Sequence, residues 1–122
     1  MDLNYPQELS YHPGHMWYRD NGTCGITFYA QQQLGEVMFL DLPQVGDKVR
    51  AGVAFASIES AKAVSDLVAP VDGEIVEVNE LLEEQPALVN TSPYASGWIV
   101  KIEARDTANL ISAEAYLASI SS

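Results

Sequence analysis

The chain has 122 residues, of which 48% are hydrophobic, and these values suit one soluble globular domain over residues 1–122. Its formal net charge of −11 argues against nucleic acid as a partner, because phosphates would be repelled. A single cysteine excludes an internal disulfide, and no apolar run approaches the roughly 20 residues that cross a membrane. The N-terminal residues show no signal or transit pattern, so we expect a cytoplasmic protein.

Short apolar runs separated by turn residues predict a mainly β protein. The predicted strands are 16–19, 23–28, 37–42, 48–51, 53–59, 67–71, 74–79 and 98–102. The predicted helices are 29–34, 80–84 and a C-terminal helix, 112–120. Gly35 is expected to end the first helix and Ser112 to cap the last. We expect this pattern to form a sandwich or barrel with a helix appended.

Two segments carry more specific expectations. Segment 1–10 is polar and contains proline, which indicates a loosely held N-terminal arm. Segment 37–42 has apolar residues at both alternating sets of positions, which favours a strand inside a sandwich with both faces buried. Cys24 is expected to be a buried small hydrophobe.

A lysine lies at the turn of a predicted hairpin. The polar segment 59–66 separates two strand-like runs and has Lys62 at its centre. The other two lysines, Lys48 and Lys101, are predicted to face outward from strands. Lys62 alone is presented on a turn, and both its neighbours are alanines that leave room around it. A lysine amine forms a stable amide at the end of a flexible stem, so Lys62 suits a carried cofactor as well as a plain solvated charge.

Catalysis by the chain itself has little support. His12 and His15 lie three apart in an irregular segment with no further histidine or cysteine cluster, so no metal site is expected. No Gly-x-Ser-x-Gly elbow is present. An acidic cluster reads as a solvated face rather than as an acid/base pair; its members are Glu74, Glu77, Glu80, Glu83 and Glu84. The sequence therefore predicts a carrier and not an enzyme.

The lysine segment has a recognisable form. Residues 59–67, ESAKAVSDL, and 69–80, APVDGEIVEVNE, closely resemble the lipoylation segment of the glycine cleavage H protein family. Further stretches are similar to the family's signatures in the same order, namely 25–31, 34–37, 42–47 and 93–98. Biotin carriers usually flank the lysine with methionines, so the flanking alanines favour lipoate.

The resemblance implies a fold and a set of site residues. The fold is the barrel-sandwich hybrid of lipoyl and biotinyl carriers. Lipoate would be attached as an amide to Lys62. Glu59, three residues before the lysine, and Gly73, eleven after it, would be read by the attaching enzyme, while Gly73 also suits a turn after 70–72. Asp66 matches a polar contact of the cleft that shelters the loaded arm.

The resemblance also implies partners. A glycine decarboxylase would load an aminomethyl group, a tetrahydrofolate-dependent aminomethyltransferase would remove it, and dihydrolipoyl dehydrogenase would reoxidise the dithiol. A lipoate ligase or lipoyltransferase would attach the cofactor. The chain is expected to act as a monomer and to bind no membrane.

One departure from the family pattern leaves the pathway open. The family usually has Ser or Thr followed by His-Glu-Trp, and its glutamate helps to line the cleft for the loaded arm. This chain has Gly14 and Met16 at those two positions. The alternative is an H-like lipoate carrier of another pathway, such as heterodisulfide-reductase-like sulfur oxidation. A third possibility, an unmodified interaction domain, is opposed by the presence of Glu59, Lys62 and Gly73.

Overall fold

Two antiparallel sheets dominate the computed structural model, which describes residues 4–121. The strands are β1 (Ser10–His12), β2 (Met16–Tyr18), β3 (Thr23–Ile26), β4 (Val37–Asp41), β5 (Lys48–Val49), β6 (Ala54–Ser60), β7 (Val64–Val68), β8 (Asp72–Val78) and β9 (Val100–Asp106). The helices are α1 (Phe28–Leu34), α2 (Leu81–Glu84), α3 (Leu88–Thr91) and α4 (Ala113–Ser121). The prediction of a mainly β fold with short helices and a C-terminal helix is confirmed.

The strands form a larger and a smaller sheet. The larger has the order β1-β2-β3-β9-β8-β5, and the smaller has the order β4-β6-β7. Buried side chains from both sheets pack in one main cluster, including Ile58 and Leu67 of the smaller sheet and Ile75 and Ile102 of the larger one. The smaller sheet therefore rests on the larger one through a shared apolar core, and its β6–β7 hairpin carries the lysine.

Strand β2 is buried on both sides. Met16 and Tyr18 belong to the main cluster, whereas Trp17 belongs to a second cluster on the opposite face. The second cluster is covered by α4, whose Tyr116 stacks on Tyr11 with ring centroids 5.1 Å apart. Ser112 caps α4 by accepting a hydrogen bond from the Ala115 amide at 3.1 Å. The predicted cap of this helix is confirmed.

Strand β4 differs from its prediction. Val37 and Leu40 are buried, but Met38 and Phe39 are each 58% exposed. The register with β6 shifts between Val37 and Phe39, which is a β-bulge. A bulge inserts one residue and breaks strict alternation, so two consecutive side chains leave the core. The expectation of a strand buried on both faces was therefore wrong.

The N-terminal segment is more ordered than a loosely held arm. Tyr5 and Leu9 are buried in the second cluster, and Tyr5 packs edge-on against Phe28 with ring centroids 6.2 Å apart. His12 lies in β1 rather than in irregular chain. Burial of the Tyr5 and Leu9 side chains stabilises the segment against the core, although most of its other residues are polar. Residues 1–3 of the predicted arm lie outside the described residues.

Candidate functional site

Lys62 lies at the tip of the β6–β7 hairpin. The two strands pair from Ala54 opposite Val68 to Glu59 opposite Val64. Both strands run closer to the lysine than predicted, so the connection is shorter than the predicted turn over 59–66. The Lys62 side chain is exposed. The predicted hairpin with the lysine at its tip is confirmed.

The side chain of Ser60 organises the turn. Its Oγ accepts hydrogen bonds from the amides of Lys62 at 3.3 Å and Ala63 at 3.2 Å. The Ser60 amide donates to the carbonyl of Ala63 at 2.8 Å. A serine hydroxyl bonded to amides two and three residues on takes the place of a backbone turn bond. No residue from 61 to 63 needs a positive φ as a result.

The hairpin tip also rests on the junction between α1 and β4. The Ala61 amide donates to the carbonyl of Glu36 at 3.4 Å. This junction is itself held by Asn90 of α3, whose side chain donates to the Gly35 carbonyl at 2.7 Å and accepts from the Val37 amide at 2.8 Å. The lysine is therefore presented on a braced turn rather than on a free stalk.

The Lys62 side chain passes close to Gly35. The φ of 76° at Gly35 ends α1 as predicted, because the left-handed region favours glycine. A Cβ at position 35 would lie 3.4 Å from Cε and 3.7 Å from Nζ of Lys62. The sequence marked Gly35 only as a helix end. Its contact with Lys62, like the contacts of Asn90, links residues far apart in the chain and has no local signal.

The serine turn supports a testable prediction. We expect Ser60→Ala to lower the free energy of unfolding by about 1 kcal/mol, because two amides of the turn lose their acceptor. Amide hydrogen exchange at Lys62 and Ala63 should accelerate, and this can be followed by NMR. Ser57→Ala, on the same strand, is the matched control and should leave exchange at the tip unchanged. Unaltered exchange at Lys62 and Ala63 in Ser60→Ala would contradict the assigned role.

The structure places two of the other predicted site residues near Lys62 and one far from it. Glu59 is exposed at the last registered pair before the turn, and Asp66 is exposed on β7 opposite Ser57. Gly73 is buried in β8, in the larger sheet and beyond the base of the hairpin. A Cβ on Gly73 would collide with the carbonyl oxygen of Glu103 and lie 2.7 Å from Cγ2 of Ile102. Gly73 is therefore a strand residue at a close backbone approach, not the turn glycine that was expected.

Of the two departures from the family pattern, Met16 lies in apolar surroundings, whereas Gly14 is exposed next to Val68 and the His12 ring. Met16 is 1% exposed and belongs to the main cluster. Gly14 faces Val68, because a Cβ on Gly14 would collide with Cγ2 of that side chain. Neither position supplies a polar side chain, and Met16 does not line an open cleft in this structure.

The two histidines have structural contacts. His12 Nδ1 accepts from the Gly14 amide at 2.9 Å. His15 Nδ1 lies 2.8 Å from the hydroxyl of Tyr116, which lies 2.8 Å from Oγ1 of Thr27. Burial lowers the pKa of His15. Within residues 4–121, no three histidine, cysteine or acidic side chains come together as a possible metal site.

Comparison with known proteins identifies the family of this chain. The family model described as "Glycine cleavage H-protein" matches residues 9–122. The chain belongs to the glycine cleavage H protein family. The H protein of Psychromonas ingrahamii is 55% identical over 111 residues, covering 85% of this chain and 89% of the relative. That of Bacteroides thetaiotaomicron is 48% identical over 122 residues, covering 95% and 97%.

Solved structures confirm the fold. The crystal structure of a glycine cleavage system H protein from Mycobacterium marinum superposes with a TM-score of 0.89 at 36% identity, and it covers 96% of this chain and 99% of that one. The predicted lipoyl-carrier barrel-sandwich fold is thereby confirmed, as is the prediction of a carrier subunit rather than a catalyst. No helix among residues 4–121 has the length and apolar character to span a membrane.

Proposed function

We propose that this chain carries lipoate on Lys62 and passes an aminomethyl group between enzymes. The group is received from glycine decarboxylase and delivered to the tetrahydrofolate-dependent aminomethyltransferase, after which dihydrolipoyl dehydrogenase reoxidises the dithiol. The observation that carries the proposal is the exposed Lys62 on a braced hairpin tip, in a chain of the H protein family. Lipoate supplies a dithiolane whose sulfurs hold the transferred group at the end of a flexible arm.

The residues around Lys62 fit an attached arm. Exposure of the amine allows an attaching enzyme to reach it, and the two flanking alanines are themselves exposed and small. The braced turn fixes the root of the arm, so the sulfur samples a limited volume and reaches a high effective concentration at each docked partner. Glu59, exposed beside the tip, supports a role in recognition by the attaching enzyme. Gly73 was predicted to share that role, but we expect packing alone to account for it, because the glycine is buried against β9.

A reconstituted exchange assay tests this function. The lipoylated chain, incubated with glycine decarboxylase, glycine and labelled bicarbonate, should support exchange of label into the carboxyl group of glycine. The unlipoylated chain at the same concentration and salt should give only the background rate. Lipoylation at Lys62 with no exchange would reject the glycine pathway while leaving the carrier role intact.

The surroundings of Gly14 and Met16 favour a second candidate, a lipoate carrier for another pathway. A protonated aminomethyl amine gains from a nearby carboxylate, and burial of a charge without a partner is costly. Neither position supplies a carboxylate, since Met16 lies in the core and Gly14 has no side chain. This candidate predicts normal lipoylation together with failure of the glycine–bicarbonate exchange, so the same assay separates the two functions. Asp66 is the remaining carboxylate proposed for the arm, and it is exposed.

A further inference from the structure

The outward face of the smaller sheet presents a row of exposed side chains next to Lys62. Phe39 of β4, Glu59 of β6 and Val64 of β7 are partners in the antiparallel register. Directly opposed residues share one face of a sheet. The next residues of β4 and β6, Leu40 and Ile58, are also partners and are buried. The row Phe39–Glu59–Val64 therefore faces away from the core.

A second row follows on the same face. Asp41, Ser57 and Asp66 are register partners two residues farther from the tip, and side chains two apart along a strand lie on one side. Asp41 and Asp66 are exposed. The exposed apolar and acidic members of the two rows form what we call the tip face; they are Phe39, Asp41, Glu59, Val64 and Asp66.

The tip face exposes two apolar side chains to solvent. Phe39 is 58% and Val64 is 66% exposed, and they flank Glu59 from the two neighbouring strands. Exposed apolar side chains bordered by polar residues on one face suit contact with a partner. The β4 bulge keeps Phe39 out of the core, so its exposure is built into the backbone.

We propose that the tip face is the docking surface for the enzyme that acylates Lys62. This inference rests on the proposed lipoylation of that lysine. The attaching enzyme must bring Nζ itself into its active site, so it has to cover residues within one lysine side chain of the tip. Enzymes that act on the sulfurs reach them at the far end of a much longer arm, and they need not cover this row.

The chemistry of the tip face defines the partner's surface. Glu59 lies between the two apolar side chains, and Asp41 and Asp66 lie in the next row, on a chain with a net charge of −11. The matching surface has an apolar recess rimmed by lysines or arginines, and such complementarity raises the association rate in a salt-dependent way. Once docked, Nζ loses a proton and attacks the activated carboxyl carbon of a lipoyl adenylate. The amide C–N bond forms, the C–O bond to AMP breaks with its electron pair leaving on AMP, and the nitrogen loses a second proton.

Matched threonine variants test the apolar part. Phe39→Thr with Val64→Thr removes both apolar members, while Met38→Thr with Val45→Thr is the control at equal exposure, 58% and 65%. Threonine is compatible with a strand, and both pairs are exposed, so denaturant unfolding should change little in either. With purified lipoate ligase, lipoate and ATP, we expect KM for the Phe39/Val64 variant to rise about tenfold with little change in kcat, as for loss of central interface anchors. The control should stay within about twofold of the parent.

Matched charge variants test the acidic part. Asp41→Asn with Asp66→Asn changes the net charge as much as Glu103→Gln with Glu114→Gln, which alters exposed acids on β9 and α4. We expect the aspartate pair to lower kcat/KM for lipoylation several-fold at low salt and to flatten its salt dependence, because steering depends on charges near the contact. The glutamate pair should have a much smaller effect.

Three outcomes would overturn the tip face as the acylating enzyme's docking surface. The first is equal lipoylation of the Phe39/Val64 variant and the parent. The second is equal loss in the Met38/Val45 control. The third is unchanged lipoylation of the Phe39/Val64 variant together with the loss of another property. Loss of glycine–bicarbonate exchange would assign the face to another partner, and loss of self-association measured by sedimentation would assign it to a second copy of the chain. Failure of the parent itself to be lipoylated would instead reject the proposed function.

Discussion

Lys62→Arg should abolish lipoylation completely and leave the fold intact. An arginine guanidinium stays protonated and does not form the amide that a lysine amine forms. The side chain is exposed at the hairpin tip, so the substitution should change the free energy of unfolding by less than about 0.5 kcal/mol. Intact-mass measurement after incubation with lipoate ligase, lipoate and ATP should show one added lipoyl group on the parent and none on the variant.

The other two lysines provide the controls for this result. Lys48 is exposed on β5 and Lys101 is half-buried on β9, and both lie in the larger sheet away from the tip. Lys48→Arg and Lys101→Arg should be lipoylated like the parent, and peptide mapping should place the group on Lys62. A lipoyl group found on Lys48 or Lys101 would contradict the assignment of Lys62 as the site.

The lysine hairpin was predictable because its signals are local. Two apolar runs separated by a short polar segment are enough to indicate a hairpin, and Lys62 falls at its centre. The end of α1 was predictable for the same reason, since Gly35 adopts a φ that few other residues favour. Capping of α4 by Ser112 likewise depends on a side chain within one turn of the helix.

The support of the hairpin was not predictable, because it depends on contacts between distant segments. Asn90 lies outside all the predicted strands and helices, yet its side-chain amide joins α1 to β4. It thereby supports the junction whose Glu36 carbonyl accepts a hydrogen bond from the Ala61 amide. Helix α3, which positions Asn90, has only four residues, and so short a helix has no strong sequence signal. Short helices gain little from their own propensity and form mainly through packing.

The exposed tip face also escaped sequence analysis, and the reason is the bulge in β4. Strict alternation places Val37 and Phe39 on one side, and a strand read that way buries Phe39. The register shift instead leaves Val37 and Leu40 facing inward and Phe39 outward. A bulge depends on the partner strand, so apolar periodicity in β4 alone does not reveal it. The sequence thus located the lysine but not the surface next to it.

The sequence predicted Gly73 to be a turn glycine. In the structure, a glycine is required at this position for a different reason. Gly73 pairs with Val49 and Ala104 on neighbouring strands, next to a register shift at Asp72. The nearest obstacles to a side chain are the Glu103 carbonyl oxygen and Cγ2 of Ile102. A main-chain atom of a central strand cannot move without breaking the sheet, so the space is closed by backbone rather than by a flexible side chain.

Gly73→Ala should therefore destabilise the fold by about 3 kcal/mol, the upper part of the range for overpacking a buried site. The measurement is urea unfolding, and Gly46→Ala is the control. A Cβ at Gly46 meets nothing within 4 Å, and that glycine's φ of 98° adds only the backbone strain of about 1 kcal/mol. Gly73 is not among the glycines with a positive φ, so its cost comes from the collision with β9 and should exceed the cost of Gly46→Ala.

The same variant separates packing from recognition by the attaching enzyme. If Gly73 acts only through packing, the lipoylation rate of Gly73→Ala should fall in proportion to its folded fraction. Conditions that restore folding of the variant should then restore the rate of the parent. This is the result we expect, because the glycine is buried and lies in the sheet opposite the one that carries Lys62. A fully folded Gly73→Ala chain that is lipoylated much more slowly than the parent would show instead that the enzyme senses this strand.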